Sequence, residues 1–182
     1  MSEPLKIGII LGSTREGRVS PQVGEWVKEK ADRFGTAEYE IVDIKDYNLP
    51  LLGTSEDTSG VERYNQKLSE LDGFLFIVQE YNHSMSGALK NAMDSAKEAW
   101  FEKAAGIVSY GSAGGARAAE HLRAVLTELR MAHVRTHPLL SLFEDFENFS
   151  DFKPRNDLHE ENLKTLLDEL ERWTKAMKSI RE

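Results

Sequence analysis

The sequence contains no cysteine and no long apolar run. Without cysteine, structural disulfides, thiolate chemistry and cysteine-ligated metal sites are excluded, so any redox function needs a bound cofactor. The longest uninterrupted apolar run is Phe74–Val78. A membrane span needs roughly 20 such residues, so this run predicts a buried strand instead. The N-terminus shows no signal-peptide pattern, and we expect a cytoplasmic protein without membrane association.

Basic residues are also in deficit, with 23 Lys and Arg against 31 Asp and Glu, for a net charge of -8. A nucleic-acid partner is therefore not expected, because that binding relies on a basic surface. An anionic small ligand stays compatible with this charge. Diffuse surface charge is screened over about 8 Å at physiological salt, so arginines in direct contact with a phosphate can dominate locally.

Apolar strand patterns alternate with amphipathic helix patterns along all 182 residues. This alternation predicts a single α/β domain, residues 1–182, with a doubly wound parallel sheet and helices on both faces. Ser20 is predicted to cap the first helix, with Pro21 in its first turn. The third helix is expected to carry Trp100 and Phe101 near its end. The five predicted strands are Leu5–Leu11, Tyr39–Ile44, Gly73–Val78, Ala104–Tyr110 and Ala132–Thr136.

Three loops, Gly12–Ser20, Gln79–Gly87 and Ser109–Gly115, have unusual composition. They follow the first, third and fourth predicted strands. A sheet of order 2-1-3-4-5 places these three strands side by side. Ligands of doubly wound sheets bind beyond the carboxyl ends of the strands, where the strand order reverses. We therefore expect the three loops to converge on one site.

The first loop has the composition of a phosphate-binding turn. Two glycines allow close backbone approach, hydroxyls and two arginines (Arg15 and Arg18) offer donors and charge, and a helix begins near Ser20. An ordinary polar turn with solvated arginines is the alternative. A nucleoside-triphosphate loop is disfavoured, because Arg18 and Val19 stand where lysine and a magnesium-binding hydroxyl are required.

The second and third loops are suited to a flat heteroaromatic ring. Tyr81, His83 and Tyr110 can pack on or beside such a ring, while Asn82 and Ser109 can bond its polar edge. Alternatively, the tyrosines are ordinary half-buried aromatics and the histidine lies on the surface. Ser84 or Ser86 is expected to cap the third helix. No G-x-S-x-G elbow or metal-ligand spacing is present, so hydrolase and metal sites are not predicted.

At these loops the chain resembles the NADPH-dependent FMN reductase family of flavodoxin-like flavoproteins. The resemblance rests on Gly12-Ser13-Thr14-Arg15, on the long segment from Glu80 to Asp94, and on Ser109-Tyr110-Gly111 followed by Gly114-Gly115-x-Arg117. Two departures are visible. Gln79 stands where the family usually has proline, and Met85-Ser86 replaces a common apolar-proline pair.

The resemblance implies a flavodoxin-like fold and FMN as the cofactor. It implies that NAD(P)H reduces FMN by hydride transfer and that a flavin, quinone, azo compound or metal oxyanion then takes the electrons. The flavin carries the chemistry, so no side chain is predicted to be catalytic. A flavodoxin-type electron carrier or a flavin-based redox sensor is the alternative function. The FMN phosphate is expected at Ser13, Arg15 and Ser20, with Arg18 and Gln22 nearby, and the ring at Gln79, Glu80, Tyr81, Asn82, His83, Ser109, Tyr110 and Gly111.

Assembly is a further expectation. Trp100, Phe101 and the aromatic stretch from Phe143 to Phe152 either form a subunit interface or pack within one chain. The family resemblance favours a homodimer or a homotetramer, with the flavin close to an interface.

Overall fold

The computed structural model describes residues 3–96, 98–155 and 157–182. The strands of the main sheet are β1 (Lys6–Leu11), β2 (Glu38–Asp43), β3 (Gly73–Gln79), β4 (Ala104–Gly111), β5 (Ala132–His133) and β6 (Leu139–Ser141). The α-helices are α1 (Ser20–Phe34), α2 (Ser59–Ser69), α3 (Gly87–Ser95), α4 (Ala116–Glu128) and α5 (Asp157–Arg181). No helix within these described ranges is long and apolar enough to cross a membrane.

The sheet has the order β2-β1-β3-β4-β5, with every neighbouring pair parallel. This confirms the predicted doubly wound, flavodoxin-like arrangement. All residues of β3 are buried, because β1 and β4 flank the strand and helices cover both of its faces. One core layer joins the sheet to α1 and α5, and the other joins it to α2, α3 and α4.

The last strand differs from its prediction, because it is interrupted. β5 ends at His133, and β6 resumes beside β4 with Ser109 opposite Leu139. The segment between them bulges from the sheet and ends at Pro138, whose carbonyl accepts the Ser109 N–H at 3.1 Å. The bulge carries His137 toward the third loop.

The third helix is also shorter than predicted, and of the two alternatives for Trp100 the structure shows packing within the chain. α3 ends at Ser95, and Trp100 lies in a separate 3-10 turn, Glu98–Trp100. The indole is fully buried, with its ring centre 4.6 Å from that of Phe74. Phe101 is partly exposed beneath the guanidinium of Arg130.

The aromatic stretch near residue 150 is divided between side chains that pack within the chain and side chains that are exposed. It forms a small hairpin of β7 (Phe146–Glu147) and β8 (Asp151–Phe152). Phe146 and Phe152 pack inward against Tyr110 and Trp26. Phe143 and Phe149 contact each other and are 66% and 60% exposed.

Candidate active site

The loops that follow β1, β3 and β4 converge at one edge of the sheet. The Arg15 Nε of the first loop donates to the Tyr81 hydroxyl of the second loop at 3.2 Å. The Glu80 carboxylate of the second loop accepts the Arg117 backbone N–H, just beyond the third loop, at 3.1 Å. The expected convergence is confirmed by these two contacts.

The first loop leaves several backbone donors free. Gly12 continues the β1 ladder with an N–H bond to the Ile77 carbonyl at 3.0 Å, and Gly17 turns the chain with φ +67°. Among the described residues, no hydrogen-bond acceptor is found for the backbone N–H groups of Ser13, Thr14 and Arg15. Consecutive free amides of this kind form a concave anion-binding surface.

Two buried hydroxyls of the same loop also lack partners. Ser13 Oγ and Ser20 Oγ have no hydrogen bond to any described residue, although both side chains are fully buried. The Ser20 hydroxyl is close enough to Tyr110 to lower the pKa of that phenol, but no hydrogen bond of good geometry joins them. Burying unpaired hydroxyls costs free energy unless a ligand bonds them. The two hydroxyls and the free amides therefore fit the phosphate group of FMN.

Ser20 does not cap α1, contrary to expectation. It is the first residue of the helix, Val19 occupies the cap position, and no side chain caps this end. The free N–H groups of the first turn therefore add a partial positive charge next to the first loop. A phosphate is a natural partner for such a helix end.

Arg18 braces the first loop, whereas Gln22 ties α1 to the hairpin of β7 and β8. The Arg18 guanidinium forms a bidentate ion pair with Asp43 and donates to the Ser13 carbonyl at 2.5 Å. The hydrogen bonds that Arg18 donates to the Asp43 carboxylate raise the pKa of Arg18 above its usual value. The Gln22 amide donates to the Ser150 carbonyl and accepts the Phe152 N–H, both at 2.8 Å. Both side chains are thus occupied by protein partners.

The second loop contains a tight turn. The Tyr81 and Ser84 backbones exchange hydrogen bonds at 2.9 and 3.0 Å. Asn82 and His83 between them have φ +48° and +70°, the signs of a type I′ turn. Such φ values are uncommon for residues other than glycine. The turn leaves Tyr81, Asn82 and His83 exposed, where a ligand ring can reach them.

Arg117 holds this turn, and its role was missed by the sequence predictions. Its guanidinium forms an ion pair with Glu80 and donates to His83 Nε2 at 2.7 Å. Because a guanidinium only donates, His83 Nε2 must be the unprotonated ring nitrogen. Burial alone raises the pKa of Glu80, but the bonds from Arg117 lower it overall and keep the carboxylate ionised. The motif Gly114-Gly115-x-Arg117 contained this residue but did not indicate its partner.

The third loop offers less side-chain surface to a ring than we expected. The Ser109 hydroxyl donates to the Gly114 carbonyl at 2.7 Å and accepts from His137 Nε2 at 2.9 Å. The Tyr110 ring is 5% exposed, because it packs into the core against Phe146. Burial raises the pKa of its phenol, which stays protonated. At these two positions the side chains are occupied, and the backbone is bonded as well: the Ser109 N–H donates to the Pro138 carbonyl and the Tyr110 carbonyl accepts the Glu80 N–H.

Position 111 has no space for a side chain. A Cβ at this position would lie 3.0 Å from the Glu80 Cβ and 3.2 Å from the Gly115 nitrogen. The Gly111 carbonyl accepts the Leu142 N–H at 3.0 Å, which ties the loop to the end of β6. The second and third loops are therefore packed together closely.

The first turns of α3 are structural, as predicted. Ser86 caps the helix by accepting the Leu89 N–H at 3.1 Å. Lys90 and Asp94 form an ion pair at 2.7 Å, and the Asn91 amide bonds the backbone of Pro50 and Leu52.

Comparison with known proteins identifies the family of this site. The sequence model of the NADPH-dependent FMN reductase family matches residues 5–145. The chain belongs to this family. Membership makes it an NAD(P)H-dependent oxidoreductase with FMN as its cofactor.

Individual relatives agree with the family match. An NAD(P)H-dependent FMN reductase of Schizosaccharomyces pombe is 36% identical over 152 residues, covering 77% of this chain and 74% of the yeast protein. A 2-hydroxy-1,4-benzoquinone reductase of a Burkholderia species is 33% identical over 135 residues, covering 69% of this chain and 72% of that protein.

Solved structures match the fold. A flavoenzyme NAD(P)H:(acceptor) oxidoreductase of Paracoccus denitrificans superposes with a TM-score of 0.77 at 19% identity, over 95% of this chain and 98% of that one. An FMN-bound flavodoxin mutant of Fusobacterium nucleatum superposes with a TM-score of 0.57 at 13% identity, over 93% of this chain and 96% of that one.

Proposed function

We propose that this single FMN-binding domain, residues 1–182, holds FMN across the three loops and passes electrons from NAD(P)H to a quinone. The observation that carries the proposal is the pair of buried, unpartnered hydroxyls of Ser13 and Ser20 beside free backbone amides. No other described segment combines free amides with unpartnered hydroxyls after a strand of the sheet. A terminal phosphate satisfies these donors together.

The residues of the three loops divide the binding of FMN between them. Ser13, Ser20 and the free amides bond the phosphate, and Arg15 neutralises part of its charge. Arg18 keeps this loop in place through the Ser13 carbonyl, and Gln22 holds the neighbouring hairpin. The ring lies against the exposed turn Tyr81–His83 of the second loop and next to Glu80, Ser109, Tyr110 and Gly111, while Gln79 is buried and bonds the Gly12 carbonyl instead. Once bound, FMN supplies the hydride-accepting chemistry, and the protein supplies position and electrostatics.

A quinone is the acceptor that we favour among the small molecules expected from the sequence. The Burkholderia relative is a benzoquinone reductase, and a relative of Solanum tuberosum, 37% identical over 131 residues, is an NAD(P)H:quinone oxidoreductase. Tyr81 is 39% exposed at the site and offers an aromatic surface to a planar acceptor.

Assembly as a homodimer or homotetramer is part of the proposal. Phe143 and Phe149 form an exposed aromatic pair on the hairpin that is tied to α1 through Gln22. Burial of this pair between copies of the chain would remove apolar surface from water. A cytoplasmic location gives the enzyme access to NAD(P)H.

Anaerobic mixing of the FMN-loaded protein with NADPH or NADH tests the function directly. We expect the visible absorbance of the flavin to bleach in a single two-electron step, followed by reoxidation when a benzoquinone is added. A flavodoxin-type carrier would bleach slowly or not at all with either nucleotide, and this result would overturn the proposed enzyme. Light scattering on the same sample measures the oligomeric state.

A further inference from the structure

The Gly12 carbonyl at the start of the first loop receives two side-chain hydrogen bonds. Gln79 Nε2 donates to it at 2.7 Å, and Ser86 Oγ donates to it at 2.6 Å. Both donors are buried, with exposures of 1% and 6%. A carbonyl oxygen has two lone pairs, so the two donors together saturate it.

These two hydrogen bonds fix the direction of the N–H group in the next residue. In a trans peptide the carbonyl of one residue and the N–H of the following residue point in opposite directions. The Ser13 N–H therefore points away from Gln79 and Ser86, and it has no acceptor among the described residues. Residue 12 is also held at its amide, because the Gly12 N–H donates to the Ile77 carbonyl at 3.0 Å.

The two donors stand at the positions where the sequence departs from the family pattern. Proline, which is usual at each position, has no side-chain donor. We propose that Gln79 and Ser86 form a paired clamp on the Gly12 carbonyl that orients the Ser13 N–H toward the FMN phosphate. They are positioning residues that set the preference for a phosphorylated flavin. This inference rests on the proposed binding of FMN in the first loop.

The clamp predicts a characteristic response to substitution. With one donor left the carbonyl is still held, and only the loss of both lets the peptide plane rotate. We expect Gln79→Leu and Ser86→Ala each to weaken FMN binding about 3-fold, and the double variant to weaken it about 30-fold. Riboflavin lacks the phosphate, so its affinity should fall by no more than about 3-fold in the double variant. Ser86→Thr keeps the hydroxyl donor, so its preference for FMN over riboflavin should equal that of the wild type.

Dissociation constants for FMN and riboflavin, measured by quenching of flavin fluorescence, test the clamp, together with the melting temperature of each apoprotein. Asn91→Ala is the control, because it removes the bonds of α3 to Pro50 and Leu52 without touching Gly12. This control should lower the melting temperature and leave the FMN-to-riboflavin ratio unchanged.

A double variant whose ratio of FMN affinity to riboflavin affinity equals that of the wild type overturns the clamp, whatever its melting temperature. If the double variant does not fold, the Gln79→Leu variant alone tests the clamp. An FMN-to-riboflavin affinity ratio equal to that of the wild type in this variant contradicts the clamp. A wild-type protein that binds riboflavin as tightly as FMN would instead overturn the phosphate assignment of the proposed function.

Discussion

The Arg15 side chain lies across the gap between two loops, with its Nε donating to the Tyr81 hydroxyl at 3.2 Å. The two residues are 66 positions apart in the sequence. A guanidinium of the first loop therefore holds the phenol of the second loop in place. Its substitution should affect cofactor affinity more than protein stability.

Arg15→Ala should weaken FMN binding by about 1.5–3 kcal/mol, the range for a hydrogen bond to a charged group. Fluorescence titration with FMN measures this loss. Arg33→Ala is the matched control, because it removes the same charge from an exposed position near Glu160. Equal affinities for the two variants would place the phosphate elsewhere.

Glu80 makes stability sensitive to acid. Its folded pKa is lowered from 4.5, despite the opposing effect of burial, because Arg117 bonds the carboxylate. A lowered carboxyl pKa contributes stability that is present above the unfolded value of about 4.5 and is lost as the pH falls through the folded value. Glu80→Gln should therefore be less stable than the wild type at neutral pH and lose less stability on acidification. Urea unfolding at about pH 3 and about pH 7 measures both effects. The exposed change Glu56→Gln should behave like the wild type, and a Glu80→Gln profile parallel to the wild type would contradict the assignment.

His137 makes a second contribution to the pH dependence of stability, at a higher pH than Glu80. Burial, together with the Arg123 charge, lowers the pKa of His137 from 6.5 to about 4. The unfolded chain then binds more protons than the folded one between these values, so stability falls as the pH drops from about 6.5 to about 4. We expect a loss of at most about 3 kcal/mol across this window, reduced by solvent screening because the ring is partly exposed. His137→Gln keeps an N–H donor for Ser109 but cannot titrate, and its urea-unfolding free energy should depend less on pH. His133 contributes in the same direction, because its pKa is lowered by burial. An unchanged slope for His137→Gln would show that His137 is not the group responsible.

Trp100 should act as a core residue. Trp100→Ala removes a fully buried indole that packs on Phe74, Phe76 and Tyr64, and it should cost about 3–5 kcal/mol of unfolding free energy. Phe149→Ala, at an exposed aromatic, should change the free energy by no more than about 0.5 kcal/mol in the monomer. Denaturant unfolding monitored by circular dichroism compares the two variants. Similar values would show that Trp100 is not part of the core.

Local sequence features predicted the alternation of strands and helices, the sheet order and the position of the site. Each depends on neighbours in the chain. The run Phe74–Val78 is apolar enough to identify a central strand, and the composition of the three loops identifies the edge at which they meet. The segments that were predicted incorrectly, the interrupted last strand and the end of α3, depend on distant packing. The β5 ladder ends at Val134, and the chain rejoins β4 only at Pro138, whose carbonyl accepts the Ser109 N–H. The Trp100 indole packs against Phe74, 26 residues earlier in the chain.

The sequence by itself determined which residue types surround the site, because motifs and turn glycines are contiguous in the chain. Only the tertiary structure decided which of those side chains remain free for a cofactor. Arg18 is paired with Asp43, Ser109 with His137, and the Gly12 carbonyl with donors 67 and 74 residues away. Hydrogen bonds need atoms within about 3 Å of each other. The sheet brings such distant residues together, and a linear pattern does not record that proximity.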